Sequence, residues 1–178
     1  FLIDRNLERL SFNVEAVEKK PEVDWLSFSK FVLPPKHEMG KRGLDPEQVV
    51  LHGVRWDEND KAWIIPIVDP LGDLQGWQTK AFGWVRNFPV GVKKSNSLFG
   101  IERFVGGTAV LVESPLDVVR FASVLEKPQA LASFGAAVSD KQLSLLASVA
   151  DRVVIAMDND EAGVASSKSL FKRLPRFR

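Results

Sequence analysis

The spacing of apolar positions changes character near residue 105. Before that point it is irregular. Leu7, Leu10, Val14 and Val17 fall three and four apart, which predicts a short amphipathic helix ending before Pro21. Leu33-Pro34-Pro35 is a break. Asp45-Pro46-Glu47 has the form of a helix start, with Asp45 as N-cap and Pro46 at the first helical position, and that helix should close near His52-Gly53. Two strand-type runs, 62–68 and 74–79, flank Asp69-Pro70-Leu71-Gly72-Asp73 and predict an antiparallel hairpin. Pro66 lacks an N–H, which argues for an edge position of its strand. Gly106-Gly107 marks a boundary or hinge.

Beyond it, strand and helix signals alternate. The run 109–112 is followed by Ser114-Pro115-Leu116-Asp117, read as a capping box with Asp117 at the third helical position and a helix to about Glu126. A short strand from Ala130 to Phe134 ends on Gly135. Ser139-Asp140-Lys141-Gln142 is a second capping-box start, for a helix whose Leu143, Leu146 and Val149 face the core. A strand at 153–157 leads to Asp158, and a last helix covers roughly Glu161 to Leu174. This βαβαβα order predicts a parallel sheet with right-handed crossovers. The fold class is therefore α/β: a parallel sheet with flanking helices from about 106 to 178, preceded over 1–105 by a smaller mixed α+β subdomain.

Acids sit where the predicted strands end. The run 153–157 stops on Asp158 and Asp160, and the run 109–112 stops on Glu113. If those strands are neighbours, three carboxylates converge on the carboxyl edge of the sheet, where open α/β sheets place their ligands. Oxygen ligands of this kind suit a hard divalent cation such as Mg²⁺ or Mn²⁺. For Asp158 and Asp160 there is also a plainer explanation, as turn and cap residues at a helix N-terminus. Asp117 is explained by its capping box, Glu161 as a first-turn carboxylate. Gly135 reads as a loop glycine that lets backbone approach a ligand. His37 and His52 are isolated, and the five Trp are assigned mainly to packing.

Composition adds little until its distribution is considered. The 178 residues are 45% hydrophobic and 26% charged, with a net charge of +1, ordinary for a soluble globular protein. No apolar stretch approaches membrane-spanning length and no signal peptide is visible, so neither membrane partner nor secretion is expected. The absence of Cys excludes a thiolate zinc site and fits a cytoplasmic location. Between residues 80 and 107, five cations face Glu102 alone, and 168–178 holds five more with no acid. Basic surface beside an acidic cluster suits a metal site flanked by phosphate-binding groups.

With those residues in view, Glu113, then Gly135, then Asp158-Asn159-Asp160-Glu161-Ala162-Gly163 resembles the Toprim domain of primases, topoisomerases and related enzymes. Three earlier segments resemble the catalytic core of DnaG-type and phage primases: Lys41 to Val50, Trp63 to Gly76, and the Lys-rich stretch Lys93 to Gly100. The resemblance spans about residues 39 to 174. It implies metal-dependent, template-directed synthesis of short RNA primers on single-stranded DNA during replication, from nucleoside triphosphates. In that reading Glu113, Asp158 and Asp160 are catalytic metal ligands. Arg42, Lys93, Lys94 and Gly135 contact nucleic acid or nucleotide, and a replicative helicase is a partner.

Three features depart from the family pattern. There is no Cys for an N-terminal zinc module, Ser114-Pro115 follows Glu113 where Gly is usual, and the acids the family carries on a later strand are not present, so we expect a chain truncated at its C-terminal end. Topoisomerase chemistry needs a nucleophilic Tyr, and the chain has none. A Toprim nuclease and a non-catalytic primer–template binding module of a primase–helicase assembly are the alternatives. No G-x-x-x-x-G-K-[ST] motif is present for ATP hydrolysis.

Overall fold

The N-terminal half is built on one antiparallel sheet and the C-terminal half on one parallel sheet. The computed structural model describes residues 23–125 and 129–174; the helix expected around Leu7 to Val17 lies outside them. Three short helices come first: α1 (Trp25–Phe28), α2 (Lys36–Lys41) and α3 (Pro46–Leu51). The first two were not foreseen, being only one to two turns long. In α3 the Asp45 carboxylate accepts from the Glu47 and Gln48 N–H groups, as expected of this N-cap.

The antiparallel sheet has the order β1 (Arg55–Asp57), β2 (Ala62–Val68), β3 (Leu74–Ala81), β4 (Trp84–Phe88). The expected hairpin is β2–β3. Its turn is held by the Asp69 carboxylate, which accepts from the N–H groups of Leu71 at 2.9 Å and Asp73 at 3.0 Å. The edge position expected for the Pro66 strand is not observed, because β2 pairs with β1 on one side and β3 on the other. The physical reason is β1's length. It reaches only to Ile64, so opposite Pro66 the strand has a neighbour on one side alone. Every residue of β2 is buried. Trp63, Ile65 and Ile67 enter the core shared with the C-terminal half, while Ile64 and Val68 pack with Phe28, Leu74 and Trp77 on the other face. A strand covered on both faces has no polar alternation to display.

The parallel sheet comprises β5 (Thr108–Val112), β6 (Ala130–Ala132) and β7 (Arg152–Ile155) in the order β6-β5-β7, with α4 (Pro115–Ala122), α5 (Asp140–Val149) and α6 (Glu161–Arg173) as its helices. Glu113 therefore leaves the central strand and Asp158 its neighbour. The Ser139 capping box forms with Gln142. The capping box expected at Ser114 does not. Ser114 is the N-cap residue but its hydroxyl makes no cap bond; it accepts instead from Lys80 Nζ at 3.3 Å. Asp117 is thereby released from the role assigned to it. The α4 helix also ends earlier than expected, with Ser123 as C-cap.

The two sheets share one core. Met39, Val49, Trp56, Trp63, Ile65 and Ile67 pack with Phe99, Val112, Leu116, Val119, Ala132 and Phe134. Each such side chain withdrawn from water contributes roughly 1.5–3 kcal/mol. Polar ties reinforce the contact: Asp45 N–H donates to Ser123 Oγ at 2.9 Å, Arg120 donates to the Gly43 carbonyl, and Phe99 bridges to Ala132. A second core, with Leu98, Leu111, Leu131, Leu143, Leu146 and Leu170, fills the space under α5 and α6. No helix among the described residues is long and apolar enough to cross a membrane.

Candidate active site

Adjacent parallel strands bring Glu113 and Asp158 together. Glu113 Oε1 accepts from the Asp158 backbone N–H at 3.2 Å, a contact across 45 residues of sequence. Both line a cavity of about 270 Å³ with Gln78, Lys80, Lys94, Ser114, Phe134 and Gly135. Burial pushes the Glu113 carboxyl above the usual carboxylate range, and the charges of Asp158, Asp160 and Asp117 push it further in the same direction. Asp117 is also raised, first by burial and then by Asp158, against lowering by Lys80 and Arg42. Four carboxylates thus feel one another at this edge, Asp117 among them. Sequence reasoning assigned Asp117 to its capping box, ahead of a supporting role near the metal, because a Ser-x-x-Asp helix start looked self-sufficient. Its spacing of four from Glu113, on the helix leaving the same strand end, was the available signal.

Asp160 is placed differently. Its Oδ1 accepts from the Gly163 N–H at 2.8 Å and caps α6. Among the described residues, no three acidic or His side chains stand close enough to hold a metal ion by themselves. The donor set nevertheless fits a hard cation. It is all oxygen, it is crowded with like charge, and Mg²⁺ is ordinarily held by one or two carboxylates plus substrate phosphates, not by a closed protein cage.

Gly163 has a steric reason to be glycine. A Cβ there would lie 2.0 Å from the Asp158 carbonyl oxygen. The first turn of α6 packs directly on the backbone that carries Asp158. Gly135 is held at φ +143°, in the region that favours glycine, and its N–H donates to the Glu113 carbonyl at 3.0 Å.

The basic candidates separate. Lys94 Nζ donates to the Phe134 carbonyl at 2.7 Å inside the acidic cavity, and burial lowers its pKa. Lys93, one residue earlier, lines a different cavity of about 750 Å³ with Asp69, Leu71, Val90, Asn96 and Lys141. Arg42 lies over the Trp63 ring, its guanidinium carbon 5.7 Å from the centroid, in a third cleft with His37, Lys41, Lys61 and Phe82. It remains near enough to lower Asp117. Lys80, which sequence reasoning counted only within a basic run, lines the acidic cavity.

Residues 110–177 match the model of the Toprim-like family. This segment is similar to a Toprim domain. The described residues have a fold similar to that of DnaG-type and phage primase catalytic cores. The chain superposes on the zinc-binding and RNA polymerase domains of the Aquifex aeolicus primase with a TM-score of 0.67 at 24% identity, covering 78% of this chain and 46% of that one. For the primase fragment of the bacteriophage T7 primase-helicase protein, the values are 0.66, 18%, 82% and 67%. For a DnaG primase catalytic domain bound to single-stranded DNA, they are 0.61, 19%, 78% and 58%. The chain spans about half the length of the first primase structures it matches. No curated protein matches it in sequence. In the Toprim-like segment, Glu113 lies at the end of the central strand, and the Asp158–Gly163 motif joins β7 to α6.

Proposed function

We propose that this chain carries the catalytic core of a DNA primase: a nucleotidyltransferase that joins ribonucleotides into short primers on a single-stranded DNA template, with Mg²⁺ or Mn²⁺. The observation that carries the reading is the cavity in which Glu113 and Asp158 face Lys80 and Lys94. Carboxylates and cations lining one small cleft suit a metal–triphosphate substrate. Glu113, Asp158 and Asp160 are the proposed metal ligands, joined by Asp117. A divalent cation bound there neutralises triphosphate charge and favours ionisation of the attacking 3′-hydroxyl.

The chain's own groups do the rest by placement. Lys94 and Lys80 receive phosphate oxygens, and Gly135 leaves the backbone open to the ligand beside them. Lys80 and Arg42 offset part of the rise that burial and Asp158 impose on Asp117. Arg42, over Trp63, and Lys93, in its separate cavity, are positioned for the template backbone, where phosphate contacts fix register without reading sequence. The single-stranded DNA in one similar structure and the primase-helicase origin of another support the template and a replicative helicase as partners.

Labelled ribonucleotide incorporation on single-stranded DNA, with Mg²⁺ or Mn²⁺, is the direct test. The intact chain should extend products and Asp158→Ala should abolish them. Nicking of supercoiled DNA without incorporation would replace this reading with a nuclease. Template binding with neither activity would leave a non-catalytic module.

A further inference from the structure

Among the described residues, Gln142 is the most buried polar side chain, with no measurable exposure (0%). It sits in the first turn of α5. Its carboxamide orientation follows from its partners. Oε1 accepts from the Ser139 N–H at 2.9 Å, and Nε2 donates to the carbonyls of Ser97 at 2.9 Å and Ser133 at 3.1 Å, with the Lys94 carbonyl at 3.3 Å. Three carbonyls from two chain segments converge on one amide, and an apolar side chain would leave those of Ser97 and Ser133 without it, while the Lys94 carbonyl keeps the Ser97 N–H. Around it, Ser139 Oγ donates to the Ser95 carbonyl, and Ser97 Oγ donates to the Val68 carbonyl at the end of β2. The segment 94–97 is thus clamped between the two sheets.

We propose that Gln142 is a positioning residue for the site: by holding the backbone of Lys94 and Ser97 to the end of β6, it delivers the Lys94 ammonium into the cavity of Glu113 and Asp158. The geometry allows little else. Lys94 Nζ reaches the Phe134 carbonyl, one residue beyond Ser133, so amide and ammonium grip successive carbonyls of the same strand end. A shift of the 94–97 backbone moves the ammonium with it. A capping box alone needs only the Oε1 bond to Ser139. The Nε2 bonds serve the lysine segment.

The functional half of this inference rests on the primase reading, and the test separates the two. In Gln142→Leu, nuclear Overhauser contacts between the Lys94 ε-methylene and the Gly135 α protons should vanish. They should persist in Leu146→Ala, a core truncation on the same helix that lowers stability without touching the clamp. Contacts retained in Gln142→Leu overturn the proposal, whatever the chain's activity. Gln142→Glu, of the same size, is read in the same way should Gln142→Leu not fold. Ribonucleotide incorporation then supplies the cycle. Gln142→Leu should cut it roughly tenfold or more, but by no more than about twofold in a Lys94→Ala background. Equal losses in both backgrounds overturn the link to Lys94. Loss of the contacts in a chain whose wild type incorporates nothing would sustain the positioning role and sink the primase reading alone.

Discussion

Asp158 and Asp160 stand one residue apart and do different work, so their substitutions should diverge. Asp158 contributes its backbone N–H to Glu113, and that bond survives truncation of the side chain. Removing a carboxylate from a crowded cluster relieves repulsion, so Asp158→Ala should melt at or slightly above the wild-type temperature while losing incorporation. Asp160→Ala deletes the α6 cap and should cost about 1 kcal/mol; Asp160→Asn keeps the cap and should restore it. Thermal melts of the three variants check this, and a large fall for Asp158→Ala would mark that residue as structural. His52 belongs to the same scale. It is buried, stacks on Phe99, donates through Nδ1–H to the Gln48 carbonyl, and leaves Nε2 without a partner among the described residues. Burial lowers its pKa below 6.5, so the fold prefers the neutral ring. Its contribution is intact above 6.5 and is lost as pH falls from there toward the lower folded value. Difference melts of wild type against His52→Phe between about pH 5 and 7 should show the wild type losing ground on acidification.

At the scale of elements, the end of β7 and the start of α6 act as one unit. Gly163 is what lets the helix seat on the Asp158 carbonyl. Gly163→Ala forces the two apart, and overpacking of this kind costs typically 1–3 kcal/mol. We expect a lowered melting temperature together with loss of incorporation, in contrast to Asp158→Ala, where only the activity falls. An unchanged melt for Gly163→Ala would contradict the close packing. The strands and longer helices were legible because their signals are local: Asp45 before Pro46, Ser139 before Gln142, acids closing apolar runs. The Ser114 cap was misread because the same hydroxyl faces Lys80, 34 residues earlier in sequence, and nothing in the motif announces that competitor. The β1 strand and helices α1 and α2 are too short to carry a period, and β4, with a mostly exposed burial pattern, shows no apolar face.

At the scale of the whole molecule, two lysines adjacent in sequence line different cavities. Lys94 stands with the acids, Lys93 with Lys141 and the β2–β3 turn. Lys93→Ala should weaken single-stranded template binding and reduce its salt slope by about one, with the triphosphate KM unchanged. Lys94→Ala should raise that KM with a smaller effect on the slope. Binding titrations across salt concentrations, paired with incorporation kinetics, separate them; identical effects from both lysines would remove the distinction.

What the amino-acid order determined by itself was the alternation of elements in the C-terminal half, the hairpin of the N-terminal half and the acids at the strand ends. These follow from periodicity and capping, which act over a few residues. Tertiary structure alone decided that Asp117 joins the acidic edge, that Asp160 turns to its helix, that Lys93 and Lys94 part, and that Gln142 clamps the lysine segment. The hydrogen bonds behind them span as few as 3 and as many as 48 positions, and hydrogen bonding and charge act through space, indifferent to distance along the chain.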